Sequence, residues 1–198
     1  MRKILLTTLA VTSTLMMGCG GSAKIAGKDG AAQAVHALTT PSQTGANRAT
    51  TVLDLTDASA TCPKGGTAKL SGFNNQIDIS GSGASATLTF TMVLTNCGLA
   101  TSDQGDALYN GTVTVAQKVI TNASGVQVAQ AFKGNLTIGG AFNDSLDVDV
   151  TESVNVLDMG KIGSVSVVLK GSVKTSSSTY TYDESVNVLA GSISISSK

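Results

Sequence analysis

Apolar and polar side chains alternate with a two-residue period through most of the chain from Thr50 onward. A β-strand points successive side chains to opposite faces of its sheet, so this period predicts strands with one face on a core and the other in water. Clusters of Gly, Asn, Asp and Ser interrupt the alternation, and their spacing predicts about eight to ten antiparallel strands joined by turns. The clearest alternating segments are residues 86–95, 109–119 and 146–154.

A glycine recurs at the same place in successive strand segments, between two apolar residues that share its face. The four examples are Tyr109-Asn-Gly111-Thr-Val113, Phe132-Lys-Gly134-Asn-Leu136, Leu169-Lys-Gly171-Ser-Val173 and Leu189-Ala-Gly191-Ser-Ile193. Glycine inside a strand marks a bulge, a sharp bend or a close approach of two backbones. Its repetition predicts an all-β antiparallel meander that forms a strongly curved sheet or a barrel-like domain. A β-sandwich with a bend in each strand is the alternative.

The amino-terminal segment has the pattern of a secretory signal peptide. Arg2 and Lys3 are followed by a mostly apolar stretch over residues 4–17. This stretch is shorter than the ~20 apolar residues that a membrane-spanning helix needs, so it predicts a signal for export. It ends at Leu15-Met16-Met17-Gly18-Cys19, where a small residue directly precedes a cysteine.

These last five residues resemble the lipobox of bacterial lipoproteins, although Met16 and Met17 depart from its commonest Leu-Ala/Ser pattern. The resemblance implies transfer of a diacylglyceryl group to the Cys19 thiol, cleavage after Gly18, and acylation of the new amino terminus, with palmitate as a typical chain. Gly20 stands where inner-membrane lipoproteins carry Asp, which implies the outer membrane of the cell envelope, on its periplasmic face or at the cell surface. An ordinary signal peptide in which Cys19 is incidental is the alternative.

The chain is predicted to have three parts: a signal peptide over residues 1–18, a lipidated terminus and flexible tether over 19–48, and a β domain over 49–198. The tether is rich in Gly, Ala, Ser, Thr and Gln, a composition typical of flexible linkers. Two helical turns over Ala31–Leu38 are conceivable, but so short a helix is marginal in isolation. His36, the only histidine, is expected to be a linker residue without a ligand role.

Once Cys19 carries lipid, Cys62 and Cys97 remain as a pair in a compartment that is expected to be oxidising. We predict a disulfide between them, which closes a loop of about 35 residues and stabilises the fold by roughly 3–4 kcal/mol on the chain-entropy model. Two free thiols and a metal site are the alternatives. A metal site has little support because neither cysteine belongs to a CxxC pair and the only histidine lies in the predicted tether.

The composition argues against several classes of function. The chain has 13 basic and 13 acidic residues, so it lacks the positive surface that binds nucleic acid. Four Phe, three Tyr and no Trp leave few rings to stack on a cofactor. The sequence also contains no phosphate-binding, dinucleotide-binding or nucleophile motif. We therefore expect neither catalysis, nor a cofactor, nor a bound metal.

Two glutamates occupy equivalent places in a six-residue repeat, since Glu152-Ser-Val-Asn-Val-Leu157 recurs as Glu184-Ser-Val-Asn-Val-Leu189. Strict alternation places both carboxylates on the otherwise apolar side of their strands, where an unpaired charge is costly. Three explanations stay open. Each glutamate turns to solvent at a strand end or bulge, each is an inward-pointing charge that protects a sheet edge, or both line the mouth of a ligand-binding cavity.

The favoured function is a membrane-anchored lipoprotein of the cell envelope whose β domain is non-catalytic and has a structural or interaction role. Its expected partners are the membrane, through the amino-terminal lipid, and a protein or an apolar ligand. One alternative is a carrier of lipid or of another small apolar ligand in the curved sheet. A transmembrane β-barrel is a further alternative, but the chain has few aromatic residues to form two interfacial girdles.

Overall fold

The computed structural model describes residues 23–39, 58–80, 83–100, 106–123, 125–155, 165–189 and 192–195. The predicted signal peptide, the Cys19 lipidation site, residues 40–48 of the predicted tether and the glycine motif at Gly191 lie outside these ranges. The elements are α1 (Gly27–His36), β1 (Ala58–Thr61), β2 (Thr67–Ser80), β3 (Gly83–Ala100), β4 (Asp106–Asn122), β5 (Gly125–Gly140), β6 (Asp144–Asn155), β7 (Val165–Thr175), β8 (Thr179–Leu189) and β9 (Ser192–Ile195).

The nine described strands form one antiparallel sheet in which each strand pairs with the next along the chain. β1 and β9 are the two edges, and no pairing joins them among the described residues. The prediction of an all-β antiparallel meander with a curved sheet is therefore confirmed. The described strands make a single open layer, so neither the sandwich nor a closed barrel describes this part of the chain.

The repeated glycines bend the sheet. Gly111 and Gly171 have φ angles of 132° and 119°, which residues with a side chain rarely adopt. At Gly171 a Cβ would lie 2.1 Å from the carbonyl oxygen of Asp149 on β6, so the two backbones approach too closely for any side chain there. Leu169 and Val173, the apolar neighbours of Gly171 in the motif, are both buried, as predicted.

The core lies on one face of the sheet, which we call the inner face, between the strands and α1. Phe90, Val115, Phe132 and Val150 form one row of cross-strand neighbours across it, and each is at most 2% exposed. The helix contributes small and medium apolar side chains to the same core. These are Ala31, Ala32, Ala34 and Val35, with Leu38 just beyond the helix.

Residues 23–39 do not form the flexible tether predicted for them. Ala31 and Val35 are fully buried, because the apolar inner face supplies the packing that a short helix lacks in isolation. The core of the β domain therefore includes residues that precede the predicted domain boundary at residue 49. The first of these buried residues is Ile25. α1 has ten residues, and no helix within the described ranges has the length and apolar character to cross a membrane.

Cys62 and Cys97 form the predicted disulfide, with their Cα atoms 5.3 Å apart. Cys62 follows β1, Cys97 lies in β3, and both are buried. Backbone hydrogen bonds surround the disulfide. The N–H of Gly98 donates to the carbonyl oxygen of Gly65 at 2.8 Å, and the N–H of Lys64 donates to the carbonyl oxygen of Gly98 at 3.0 Å. The disulfide and these hydrogen bonds together fix the turn between β1 and β2 against β3.

We expect Gly171→Ala to lower the free energy of unfolding by about 2–3 kcal/mol. The added Cβ pushes β7 away from β6, and alanine is strained at a φ of 119°. Gly139→Ala is the matched control, because Gly139 also lies in a strand but its added Cβ would meet nothing closer than 3.9 Å. Urea unfolding of the parent and both variants measures the difference, and equal losses in the two variants would contradict the role given to Gly171.

Candidate functional site

The two glutamates of the six-residue repeat lie in one cross-strand row on the inner face. Glu152 on β6 pairs with Leu169 on β7, and Leu169 pairs with Glu184 on β8. The carboxylates are therefore two strands apart, which is roughly 10 Å at the usual strand spacing. Both point to the apolar side, as the alternation predicted, and both meet α1.

Glu152 bonds to the last residue of α1. Nδ1 of His36 lies 3.1 Å from Oε2 of Glu152, and because a carboxylate accepts, this nitrogen carries the proton. Oε1 of Glu152 is buried and has no hydrogen-bond partner among the described residues. The Glu152 side chain is 7% exposed, so the explanation of a carboxylate turned to solvent is wrong for it. The expectation that His36 is an unattached linker residue is also wrong.

Glu184 forms the equivalent pair with the other end of α1. Nζ of Lys28 donates to Oε1 of Glu184, and these side chains are 34% and 33% exposed. Tyr182 holds the same lysine in two ways: its hydroxyl donates to the Lys28 carbonyl oxygen at 2.7 Å, and its ring centre lies 5.2 Å from Nζ, a cation–π contact. Water screens this pair more than the buried one, so we expect it to contribute less to stability.

Both carboxylates stood out in the sequence, but their basic partners did not. Lys28 and His36 are eight residues apart on α1, which is about 12 Å along a helix axis. This length is close to the separation of the two carboxylates, so one helix reaches both. The signal that could have identified the partners was the need of two inward-pointing carboxylates for two hydrogen-bond donors. A role of Glu152 and Glu184 in binding a ligand stays a prediction.

Asp144, the first residue of β6, fixes the chain that enters α1. Its Oδ2 accepts from the backbone N–H of Ile25 at 2.9 Å, and its Oδ1 accepts from those of Ser145 at 2.8 Å and Ser176 at 2.9 Å. Burial opposes ionisation of this carboxyl, but the hydrogen bonds from Ser176, Ile25 and Ser145 outweigh burial and hold the pKa of Asp144 below its ordinary value. Asp144 therefore ties three separate segments together as a carboxylate.

A small apolar cavity lies between α1 and the sheet, beside residues 24–26, which lead into α1. Its volume is about 150 Å³, and its lining includes Ile25, Ala34, Tyr109 and Phe142. The Tyr109 hydroxyl donates to the Ala34 carbonyl oxygen at 3.1 Å, and burial raises the pKa of Tyr109. The cavity is smaller than the ~300–1,000 Å³ of most ligand pockets.

No group of three or more His, Cys, Asp or Glu side chains that could hold a metal ion occurs in the described part of the chain. Comparisons with family models, with curated proteins and with solved structures find no match to this chain. A function for this protein is therefore inferred from the residues and contacts described above.

We expect His36→Ala to lower the free energy of unfolding by about 1–3 kcal/mol, because it removes a hydrogen-bond donor from the buried carboxylate of Glu152. Combining it with Glu152→Leu should restore most of the loss, since replacing both partners of a buried polar pair by apolar groups is close to neutral. Urea unfolding measures both effects.

The control is Glu184→Gln at the equivalent position of the repeat. Its pair is about one-third exposed, so the loss should stay below about 1 kcal/mol. A double variant that is no more stable than His36→Ala would show that the unpaired carboxylate is not the cause of the loss.

We expect Asp144→Asn to lower stability at neutral pH by about 1–3 kcal/mol, because the charge strengthens the three backbone hydrogen bonds that Asp144 accepts. A carboxyl with a lowered folded pKa stabilises the fold above its unfolded pKa, and this contribution is lost as the pH falls through the folded value. The gap between parent and variant should therefore narrow below about pH 4. Urea unfolding at about pH 7 and about pH 3 measures the difference in free energy of unfolding between the parent and Asp144→Asn. A difference that is the same at both pH values would argue against the charge of Asp144 as its source.

Proposed function

We propose that this protein is a lipoprotein of the bacterial cell envelope, anchored by lipid on Cys19 in the outer membrane, on its periplasmic face or at the cell surface. Its β domain is non-catalytic and has a structural or interaction role. The lipobox-like residues 15–19 support the anchor. The disulfide between Cys62 and Cys97 supports export, because disulfides persist in oxidising compartments.

The contacts of the two inner-face glutamates support a β domain that is non-catalytic. A general acid or base has to reach a proton on its substrate. Glu152 and Glu184 instead bond to His36 and Lys28 of the same domain. The carboxylates that the sequence singles out therefore hold α1 on the sheet, which is a structural role.

Exposed apolar side chains support an interaction role. Ile77 and Ile79 on β2 are 66% and 79% exposed, although both belong to the inner face. Val119 and Val128, on the same face of β4 and β5, are also exposed. Ile77 pairs with Ala86, Ala86 with Val119, and Val119 with Val128. An apolar surface that continues across four strands in this way is typical of contact sites.

The lipid anchor is tested by labelling with radioactive palmitate in a bacterial host that processes lipoproteins. We expect the parent to take up label and to fractionate with membranes, because two or more acyl chains anchor a protein durably. Cys19→Ser should lose the label and leave the membrane fraction, since the acceptor thiol is gone.

The matched control is the double variant Cys62→Ser, Cys97→Ser, which should keep the label because it leaves Cys19 intact. Absence of label in the parent, or undiminished label in Cys19→Ser, would show that Cys19 is not lipidated.

A further inference from the structure

The first described residue, Ala23, is held on the sheet by backbone hydrogen bonds. The N–H of Ala23 donates to the carbonyl oxygen of Ala141 at 3.1 Å, and the N–H of Asn143 donates to that of Ala23 at 3.0 Å. These bonds join Ala23 to the turn between β5 and β6 in a parallel bridge with Phe142. Two residues further on, the N–H of Ile25 donates to Asp144. Ala23 therefore has a fixed place at one end of the sheet.

Cys19 precedes this fixed point by only four residues. A fully extended chain covers at most ~3.6 Å per residue, so Ala23 lies within about 14 Å of the Cys19 backbone. A flexible tether reaching to residue 48, as the sequence analysis predicted, would instead let the domain move tens of ångströms from its anchor, since a coil of ~30 residues has an end-to-end distance of about 30 Å. The contacts of Ala23 remove this freedom.

The end of the sheet that holds Ala23 also carries the turn between β7 and β8, because the N–H of Ser176 donates to Asp144 beside the turn between β5 and β6. Lys24 is exposed next to Ala23, and an exposed cation close to a bilayer is attracted by anionic head groups. The opposite end of the sheet carries the turn between β4 and β5, which is about 50 Å away along a strand of 16 residues.

We propose that the β domain lies directly on the membrane surface, with the turn between β5 and β6 facing the lipid head groups and the turn between β4 and β5 facing away. This inference rests on the lipid anchor of the proposed function. The partner is the bilayer that holds the lipid on Cys19, and the short connection from Cys19 to Ala23 sets the orientation.

Single tryptophans test this orientation, because the natural chain contains none. Asn143→Trp places the reporter at the end of the sheet next to Ala23, and Asn122→Trp is a matched substitution of an exposed asparagine at the opposite end. The mature lipidated protein, which begins at Cys19, is reconstituted in vesicles of phosphatidylcholine and phosphatidylglycerol that contain a dansyl-labelled head group. Energy transfer from tryptophan to dansyl measures how close each end lies to the membrane.

We expect the transfer efficiency from Asn143→Trp to be at least twofold that from Asn122→Trp. Equal efficiencies, or a higher one from Asn122→Trp, in protein that floats with the vesicles would overturn the orientation while leaving the anchor intact. Protein that does not float with the vesicles would overturn the anchor, and the orientation with it.

A flexible insertion of about 20 Gly and Ser residues between Ser22 and Ala23 tests the cause. It lies outside the described residues and lengthens the reach of the anchor, so the difference in transfer efficiency between the two tryptophans should become smaller. A difference that is undiminished after the insertion would show that the short connection does not set the orientation.

Discussion

The packing of α1 against the inner face is the contact on which the rest of this fold depends. A sheet of one layer has an apolar face that must be buried against another element, and among the described residues α1 is the element packed there. The dependence is mutual, because a ten-residue helix is marginal alone. Ala31 and Ala32 are fully buried, and their small side chains allow the helix backbone to lie close to the strands.

The curvature of the sheet lets strands far apart in the sheet reach the same short helix. Tyr109 on β4 donates to the carbonyl oxygen of Ala34, and Tyr182 on β8 donates to that of Lys28. Four strand spacings separate the two tyrosines, roughly 19 Å on a flat sheet, whereas Lys28 and Ala34 are about 9 Å apart along a helix. The bends at glycines such as Gly111 bring the tyrosine-bearing strands toward each other.

The strands, the strand glycines and the disulfide could be predicted because each leaves a local or pairwise signal: a two-residue period, a glycine between apolar residues, and two cysteines that remain when Cys19 is assigned to the predicted lipidation. Two helical turns over Ala31–Leu38 were conceivable from the sequence, but a helix packed in the core was not predicted. Residues 20–48 have the composition of a linker, and the apolar face that stabilises α1 belongs to strands far along the chain. The difference in exposure between the two glutamates could not be predicted either. Glu152 and Glu184 stand in identical six-residue repeats, yet Glu152 lies on β6 inside the sheet and is buried, whereas Glu184 lies on β8 next to the edge strand and is one-third exposed.

The polar contacts of α1 decide where the helix sits, whereas its apolar contacts supply most of the energy of packing. An alanine-rich helix face is smooth, and burial alone would tolerate a shift along the sheet. A shift by one residue moves each side chain 1.5 Å along the axis and about 100° around it, which would separate His36 from Glu152 and Lys28 from Glu184. A buried carboxylate left without a partner is costly, so the pair of His36 with the buried Glu152 disfavours the shifted positions. The more exposed pair of Lys28 with Glu184 adds a smaller contribution in the same direction. Buried polar pairs often contribute little to net stability and more to the choice of a single arrangement. Here that choice also fixes Ala23, because the chain that enters α1 can meet the turn between β5 and β6 in only one register of the helix.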